Sequence, residues 1–385
     1  MRILDQQRYW AFFKAYVICF IALVGLYIVI DAFSNLDEFA KRANGAVEMF
    51  SIMGRFYLVH MSQFYDRLCG VIGMMAAIFT VTWMQRNNEL LAMLAAGVST
   101  QRIIRPVWIS TLIVGMFAVL NQELIMPRYA EEIQKTHDDD GQRKVLVFSR
   151  YDSNGVLIHG KEADRGAKTV LSFNATLPVG IFGVIRELEA KQARYIPEDD
   201  PRAPLKGGWL LRGALLTPPA DDKELDGSLL TRVRDFADYP PTVGEIRDLG
   251  DESYFLRTGL QFDTVTRNRQ WYQYATTIDL IRGLSDSANE PERQDILVFI
   301  HSRILRPLLS LNLMFLSLPL VLSGYGRNMF VNLGLSLGTS AVFYGACFLT
   351  SYLGGNGLIA PVLAAWLPLL VFGTVAVARW DTIRT

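Results

Sequence analysis

The chain has 385 residues, and its 38 Lys and Arg balance 38 Asp and Glu, so the formal net charge is zero. Apolar residues make up 51% and charged residues 20% of the chain. That composition excludes a disordered protein and lacks the basic excess of a nucleic-acid binder. The charges are also unevenly distributed, since residues 328–378 include no Asp, Glu, Lys, Arg or His. The sequence therefore predicts an integral membrane protein.

Charge-free runs predict six membrane helices, because a bilayer core needs about 20 apolar residues per helix. The turn Gly354-Gly355-Asn356-Gly357 separates the last two of them. Lys and Arg of the short loops lie on one side of the membrane if both chain termini are cytoplasmic, which is the predicted orientation. The first predicted span is 15–30, extended backward over Lys14, and the second is 68–85, with an earlier start expected because 56–65 is apolar apart from His60. The others are 106–122, 307–326, 329–352 and 358–378.

A charge-rich insertion follows the third predicted helix. It contains short apolar runs bounded by Asp, Gly, Asn and Pro, a pattern typical of strands in a sandwich, roll or barrel. We expect three membrane helices in residues 1–128, an all-β, jellyroll-like domain in 129–294 and three helices in 295–385. Residues 129–140 are expected to continue the third helix. The predicted strands are 145–148, 156–158, 170–173, 181–185, 209–211, 229–233 and 254–265.

Nucleotide and metal sites are not predicted. Residues 155–161 have the spacing of a phosphate-binding loop, but Glu162 stands where Ser or Thr would bind magnesium, and a hairpin turn explains the glycines. The three cysteines, Cys19, Cys69 and Cys347, fall in predicted spans as small apolar residues and have no metal-ligand spacing.

Gly334-Leu335-Ser336-Leu337-Gly338 matches the nucleophile elbow of serine hydrolases. The same glycines are four residues apart in a predicted membrane helix, where small residues allow close helix contact. We favour helix packing by Gly334 and Gly338 and predict no catalytic residue. An intramembrane hydrolase at Ser336 stays as a minor alternative.

The loop between the second and third helices, about 86–99, predicts a short cytoplasmic helix. Asn87 or Asn88 caps it, and Gly97 ends it. Its apolar residues recur at helical spacing, and Glu89 is its acidic residue. Two interpretations are open: an interfacial helix that packs on its own bundle, or a coupling helix that docks into a cytoplasmic motor. The apolar stripe consists of Leu90, Met93, Leu94 and Val98.

The whole chain resembles the lipopolysaccharide-export permeases, the paired LptF/LptG membrane subunits of an ABC transporter. Residues 85–99 resemble the coupling segment of that family, with one extra asparagine before Glu89. Residues 121–130 resemble the end of its third helix, and Arg306-Pro307 the start of its fourth. Cys69-Gly70 departs from the family, whose members often have proline there.

The resemblance implies a permease of the bacterial inner membrane that extracts lipopolysaccharide, or a related glycolipid, from the outer leaflet and passes it to a periplasmic bridge. The implied partners are a paralogous permease or a second copy, a cytoplasmic ABC ATPase dimer and periplasmic jellyroll proteins. The chain itself would bind no cofactor, since ATP and magnesium belong to the ATPase. Docking to the ATPase would fall to Arg86, Glu89, Leu90, Met93 and Leu94.

Two sets of residues are candidates for substrate contact. Basic residues near the outward membrane face are candidates for the phosphates of a glycolipid headgroup. The alternative for each is a simple interfacial position and, for Arg67, pairing with Asp66. These are Lys41, Arg42, Arg55, Arg67, Arg303 and Arg306. Apolar strand residues are candidates for an acyl path through the β domain: Val145, Val147, Ile158, Leu171 and Phe173. The alternative is an ABC-type mechanotransmitter with a filled β-domain core.

Overall fold

The computed structural model describes residues 2–43, 45–134, 144–201, 203–220, 225, 229–233, 253–323 and 329–381. The chain divides into two compact units. The membrane unit comprises Met1–Asp140, Tyr272–Leu280 and Gln294–Thr385, and the β unit comprises Gly141–Trp271 and Ile281–Arg293.

Twelve α-helices occur among the described residues. In chain order they are α1 (Arg2–Ser34), α2 (Leu36–Arg42), α3 (Ala46–Arg86), α4 (Glu89–Ala95), α5 (Thr100–Leu120), α6 (Ala130–Ile133), α7 (Val179–Phe182), α8 (Phe262–Val265), α9 (Thr277–Gly283), α10 (Arg293–Ser323), α11 (Met329–Gly355) and α12 (Pro361–Asp381). A π-helix, Asn121–Ile125, and a 3-10 turn, Met126–Tyr129, join α5 to α6.

Six of the described helical segments are long and apolar enough to cross a membrane, which confirms the predicted number. The earlier start expected for the second is confirmed, and this helix begins as early as Ala46, whereas the fourth is much longer than predicted. In both, charged residues interrupt the charge-free runs without ending the helices. Arg55, Asp66 and Arg67 lie within α3, and Arg303 and Arg306 within α10. The segments are Ile3–Ser34, Ala46–Arg86, Thr100–Tyr129, Ser287–Leu322, Phe330–Gly355 and Pro361–Trp380.

The β unit is built on an antiparallel sheet in which nine strands are described. Its order is β1-β4-β5-β6-β7-β9-β8, with β3 pairing β2 and β5. The fold class, a helical membrane protein with an inserted β domain, is thereby confirmed. The strands are β1 (Lys144–Leu146), β2 (Arg150–Tyr151), β3 (Leu157–His159), β4 (Glu162–Asp164), β5 (Thr169–Leu177), β6 (Arg186–Ile196), β7 (Gly208–Thr217), β8 (Leu230–Arg232) and β9 (Ser253–Arg257).

Two strand predictions for this part of the chain were wrong, and one strand was missed. Residues 181–185 form no strand, since α7 ends there and β6 begins at Arg186. β6 itself was missed because charged residues alternate with its inward apolar ones, so no apolar run marks it. The predicted strand 254–265 is observed only as far as Arg257, where β9 ends, and α8 begins at Phe262. The predicted helical continuation over 129–140 is observed as far as α6, and residues 135–140 lie outside the described part.

Trp209 is the centre of the β-unit core. Its ring is fully buried and lies 5.4 Å from the ring centroids of both Phe173 and Tyr195. Its indole N–H donates to the carbonyl of Leu260 at 3.0 Å, so the one polar atom of the ring is satisfied inside the core. The inward side chains of the sheet therefore form a packed interior.

Candidate functional site

The short helix α4 is defined at both ends by backbone geometry. Asn88 precedes it in the left-handed region, at φ 59°, and Gly97 follows it at φ 79°. The N–H of Gly97 donates to Leu94 at 2.9 Å, and the N–H of Val98 donates to Met93 at 3.0 Å. These two bonds are those of a Schellman motif, which favours glycine at its left-handed position. The predicted stop at Gly97 thus has a direct structural cause.

One face of α4 is used to hold it on the membrane unit. Leu90 is buried with Met84 and Ile103, and Met93 and Val98 pack against the same cluster. Arg8 of α1 also donates to the Met93 sulfur at 2.6 Å. The docking role predicted for Leu90 is therefore corrected, since its side chain attaches α4 to its own bundle. Met93 is only half-buried, so docking by Met93 stays a prediction.

The opposite face of α4 is exposed. Glu89 and Arg86 are exposed, as are Leu91 and Leu94, of whose surface 62% and 37% is accessible. Leu91 was missed in the sequence because it lies outside the apolar stripe. An exposed pair of leucines beside one carboxylate is a surface suited to a protein partner.

A buried network of charged and polar side chains joins α3, the π-helix and α10. We call it the arginine network; its members are Asp66, Gln122, Glu123, Thr277, Arg303 and Arg306. Arg306 forms a two-pronged ion pair with Asp66, with one nitrogen–oxygen distance of 2.9 Å, and it donates to Gln122 Oε1 at 2.9 Å. Arg303 donates to Glu123 Oε1 at 2.8 Å and to Thr277 Oγ1 at 3.0 Å. Glu123 also accepts from the Thr277 hydroxyl.

The π-helix explains how neighbouring residues serve different partners. Asn121 donates to the carbonyl of Ser62 on α3 at 3.0 Å, whereas Gln122 and Glu123 accept from Arg306 and Arg303 of α10. The wider π turn is a frequent feature of functional sites, and here it places three consecutive polar side chains in contacts with two helices.

Residues Tyr272–Leu280 are held on the membrane unit by the same network. Besides the Thr277 contacts, the carbonyl of Ala275 accepts from Arg303 at 3.0 Å, and Gln63 donates to the Tyr274 hydroxyl at 2.8 Å. Burial raises the pKa of Tyr274, so its hydroxyl keeps its proton in the neutral range. Sequence analysis missed Gln122, Glu123 and Thr277; polar residues beside an apolar helix were the available signal.

The headgroup role predicted for Arg303 and Arg306 is corrected by these contacts. The Arg303 side chain is 2% exposed, and both arginines are neutralised by carboxylates of the same unit. Asp66 is paired with Arg306, so its suggested pairing with Arg67 is wrong. Lys41 and Arg67 are exposed, and Arg55 is 81% exposed beside Glu132 at 3.5 Å. The side chain of Arg42 lies outside the described part of the structure.

Gly334 and Gly338 do not contact another helix of this chain among the described residues, since a Cβ built at either meets no atom within 4 Å. Helix packing at Gly334 and Gly338 therefore stays a prediction, and the helix that packs there would belong to a second chain. A close approach between two helices is found instead at Gly115 of α5, where a Cβ would lie 2.9 Å from the Cα of Pro307 on α10.

Ser336 is fully buried, and its hydroxyl has no hydrogen-bond partner among the described residues, so the base that a nucleophile requires is not found there.

The acyl-path candidates divide between the two faces of the sheet. Val147, Ile158 and Phe173 are buried in the core of the β unit, and Val145 packs against it. Leu171 is 37% exposed beside the inward Val170, and Ser172, at φ 53°, then interrupts the alternation of faces, so that Phe173 is again buried. The assignment of Leu171 to an interior path is therefore corrected.

Comparison with known proteins gives one family. A family model described as the lipopolysaccharide export system permease LptF/LptG matches residues 8–381. A search of curated proteins gave no match. The family match covers α4, the arginine network and the whole sheet, so it applies to both units.

Proposed function

Because this chain belongs to the LptF/LptG family of lipopolysaccharide export permeases, we propose that it extracts lipopolysaccharide, or a related glycolipid, from the outer leaflet of the bacterial inner membrane. The β unit would then lie in the periplasm and pass the lipid to a periplasmic bridge of jellyroll proteins. Both termini and α4 would lie in the cytoplasm, in keeping with the basic short loops.

The energy would come from a separate cytoplasmic ABC ATPase dimer that carries the ATP and magnesium. The observation that supports this most strongly is the exposed face of α4, with Glu89, Leu91 and Leu94 beside Arg86. A groove on the ATPase would cover the two leucines, and a basic group would pair with Glu89. A paralogous permease or a second copy of this chain would complete the transporter. Much of α1 is exposed along its apolar length, in keeping with a lipid or partner contact.

We assign headgroup contact to the basic side chains that remain available. Lys41, Arg55 and Arg67 are exposed, and the last two lie on α3, the helix that also carries Asp66 of the arginine network. Phosphate groups form strong charge-assisted hydrogen bonds with such cations. Arg306 would act indirectly, by holding α10 against α3, which carries Arg55 and Arg67. Arg303 would hold the π-helix to α10.

Acyl chains would enter the β unit along its inward side chains. Since Val147, Ile158 and Phe173 lie in a filled core, transfer along this path requires the strands to separate. A β unit that stays closed would instead serve as a docking platform, which is the mechanotransmitter alternative.

A photo-crosslinking residue at Phe173 distinguishes these two possibilities. Its matched control is Leu171, which is exposed although it lies only two residues away on β5, because Ser172 at φ 53° interrupts the alternation between them. In proteoliposomes with the ATPase and glycolipid, ATP should increase glycolipid crosslinks at Phe173 and not at Leu171. Equal crosslinking at the two positions, or none at Phe173 with ATP present, would contradict transport through the interior.

A further inference from the structure

Arg8 is buried on a helix that is otherwise largely exposed. It is 8% exposed, whereas Gln7, Tyr9 and Trp10 beside it are exposed. Only 11% of the apolar stretch of α1 is buried within this chain. An arginine near a membrane surface ordinarily extends its charge into water, and a buried cation is costly unless it is paired. The inward position of Arg8 therefore requires partners inside the membrane unit.

Arg8 lies on the face of α1 that packs against the rest of the membrane unit. Phe12, four residues later on the same face, is 2% exposed and belongs to the same core cluster as Val81 of α3. Lys14 has the opposite environment: it is exposed, and its ammonium group lies 5.3 Å from the centroid of the Trp10 ring. These two cations of α1 therefore differ, since Lys14 faces outward and Arg8 faces the bundle.

The guanidinium of Arg8 connects α1 to α4. One nitrogen pairs with Asp5 at 3.2 Å, within α1, and the other donates to the sulfur of Met93 on α4. The carboxylate of Glu89, one helical turn before Met93, also attracts it. The side chain of Asp5 is 45% exposed and a thioether is a weak acceptor, so these two groups alone balance the buried charge poorly. The charge of Glu89 therefore contributes to holding Arg8 in place.

The apolar attachment of α4 leads to other helices. Leu90 is buried with Met84 at the end of α3 and Ile103 near the start of α5, and the described members of this cluster include no residue of α1. A direct contact between Arg8 and a partner protein is excluded by the burial of its side chain. The contacts of Arg8 therefore give α4 a polar link to α1 that its apolar attachment does not provide.

We propose that Arg8 is a positioning residue that couples α4 to the first turns of α1. When the ATPase displaces α4, the attraction between Arg8 and Glu89 and the contact with Met93 carry this end of α1 along, because a helix transmits a displacement as a rigid element. The inference rests on the proposed function, since it takes α4 as the element on which the ATPase acts. It adds that α1 is a helix to which the movement passes.

The test measures glycolipid released per ATP hydrolysed by the purified transporter with its ATPase in proteoliposomes. Arg8→Gln removes the charge and keeps a polar side chain. It should bind the ATPase and hydrolyse ATP like the wild type, but release about tenfold less glycolipid per ATP, the factor that corresponds to the loss of one charge-assisted hydrogen bond. Arg8→Lys keeps the attraction to Glu89 and should restore much of this ratio. A ratio for Arg8→Lys as low as that for Arg8→Gln would overturn the electrostatic link.

Lys14→Gln is the matched control, because it removes one positive charge from an exposed position of the same helix. It should keep the wild-type ratio, and equal ratios for Arg8→Gln and Lys14→Gln would refute the proposal. A lower melting temperature of Arg8→Gln, with hydrolysis and release reduced in proportion, would show that Arg8 only stabilises the fold and would refute it as well. If Glu89→Lys stops transport but Arg8→Gln does not, the proposed function stands and this inference alone fails.

A distance measurement tests the link without transport. Spin labels are placed on this chain at Gln7 of α1 and at Asn87 just before α4, both of which are exposed. Pulsed electron paramagnetic resonance then compares the transporter without nucleotide and after trapping with ATP and vanadate. The distance should stay unchanged on trapping when Arg8 is present and should change in the Arg8→Gln background. A change with Arg8 present, or no change in Arg8→Gln, would overturn the coupling of α4 to α1.

Discussion

The carboxylate of Glu123 and the guanidinium of Arg303 are 180 residues apart in the sequence and 2.8 Å apart in the structure. The pair links the π-helix after α5 to α10, which belong to opposite halves of the helical bundle. The Thr277 hydroxyl contacts both side chains. The pair therefore fixes three separate parts of the chain at one point.

Removing the acid of this pair should destabilise the membrane unit. Glu123→Ala leaves the buried Arg303 without its carboxylate, and breaking a buried ion pair costs about 3 kcal/mol or more. Glu123→Gln keeps an acceptor oxygen and should cost less. Thermal unfolding in detergent, followed by tryptophan fluorescence, measures both. Arg55→Ala is the control: its exposed, 3.5 Å pair with Glu132 contributes about 0–1 kcal/mol. A melting temperature for Glu123→Ala equal to that of Arg55→Ala would show that the pair is not structural.

Gly115 should tolerate no added methyl group. In Gly115→Ala the new Cβ approaches backbone atoms of Pro307, so α5 and α10 must separate. Overpacking of this kind costs about 1–3 kcal/mol. Gly54→Ala, on α3 with nothing within 4 Å, is the matched control and should unfold like the wild type. Equal melting temperatures for the two variants would mean that the helices do not meet at Gly115.

Much of this fold follows from the sequence, and the exceptions have physical causes. Charge-free runs gave the six membrane helices, and Gly97 gave the end of α4. An earlier start was expected for α3, but the first turns of α10 were missed because Arg303 and Arg306, read singly, mark the end of an apolar span. Only their pairing across the bundle lets the helices continue, and pairing between residues 240 apart is not visible in a pattern.

The candidate sites were less predictable for a related reason. Periodicity shows that a residue is apolar and on one face, but not what that face contacts. The stripe of α4 was assigned to a partner, yet Leu90 is buried in the helix's own unit. In β5, the adjacent apolar residues Val170 and Leu171 left the inward position undecided until the register was known.

Arg67 should contact the glycolipid before any ATP is consumed. A photo-crosslinking residue at this exposed position of α3 should capture glycolipid in proteoliposomes without nucleotide, because headgroup binding precedes transport. Arg67→Glu should reduce glycolipid binding by the purified transporter about tenfold, through repulsion of phosphate. Ile304, exposed on α10 beside the buried Arg303, is a matched crosslinking control. Stronger capture at Ile304 than at Arg67 would remove Arg67 from the substrate path.

The exposed face of α4 can be separated from its buried face by mutation. Leu91→Asp should weaken ATPase binding and leave the melting temperature of the isolated chain unchanged, since Leu91 is 62% exposed. Leu90→Ala should lower the melting temperature, because its side chain is buried with Met84 and Ile103. Copurification with the ATPase and thermal unfolding measure the two effects. The opposite pattern, with Leu90→Ala alone impairing assembly of a stable chain, would reverse the two faces.

ATP-driven release of glycolipid from proteoliposomes tests most directly whether α4 couples this permease to its motor. The transporter with wild-type chain should transfer glycolipid to an acceptor protein only when ATP is present. Glu89→Lys should reduce that transfer at least about tenfold, because charge reversal at a docked surface costs more than about 1.4 kcal/mol, while the chain keeps its melting temperature. Asn87→Lys, a charge-adding control at an exposed position before α4, should transfer at the wild-type rate. Wild-type transfer by Glu89→Lys would contradict the proposal that α4 is the coupling element.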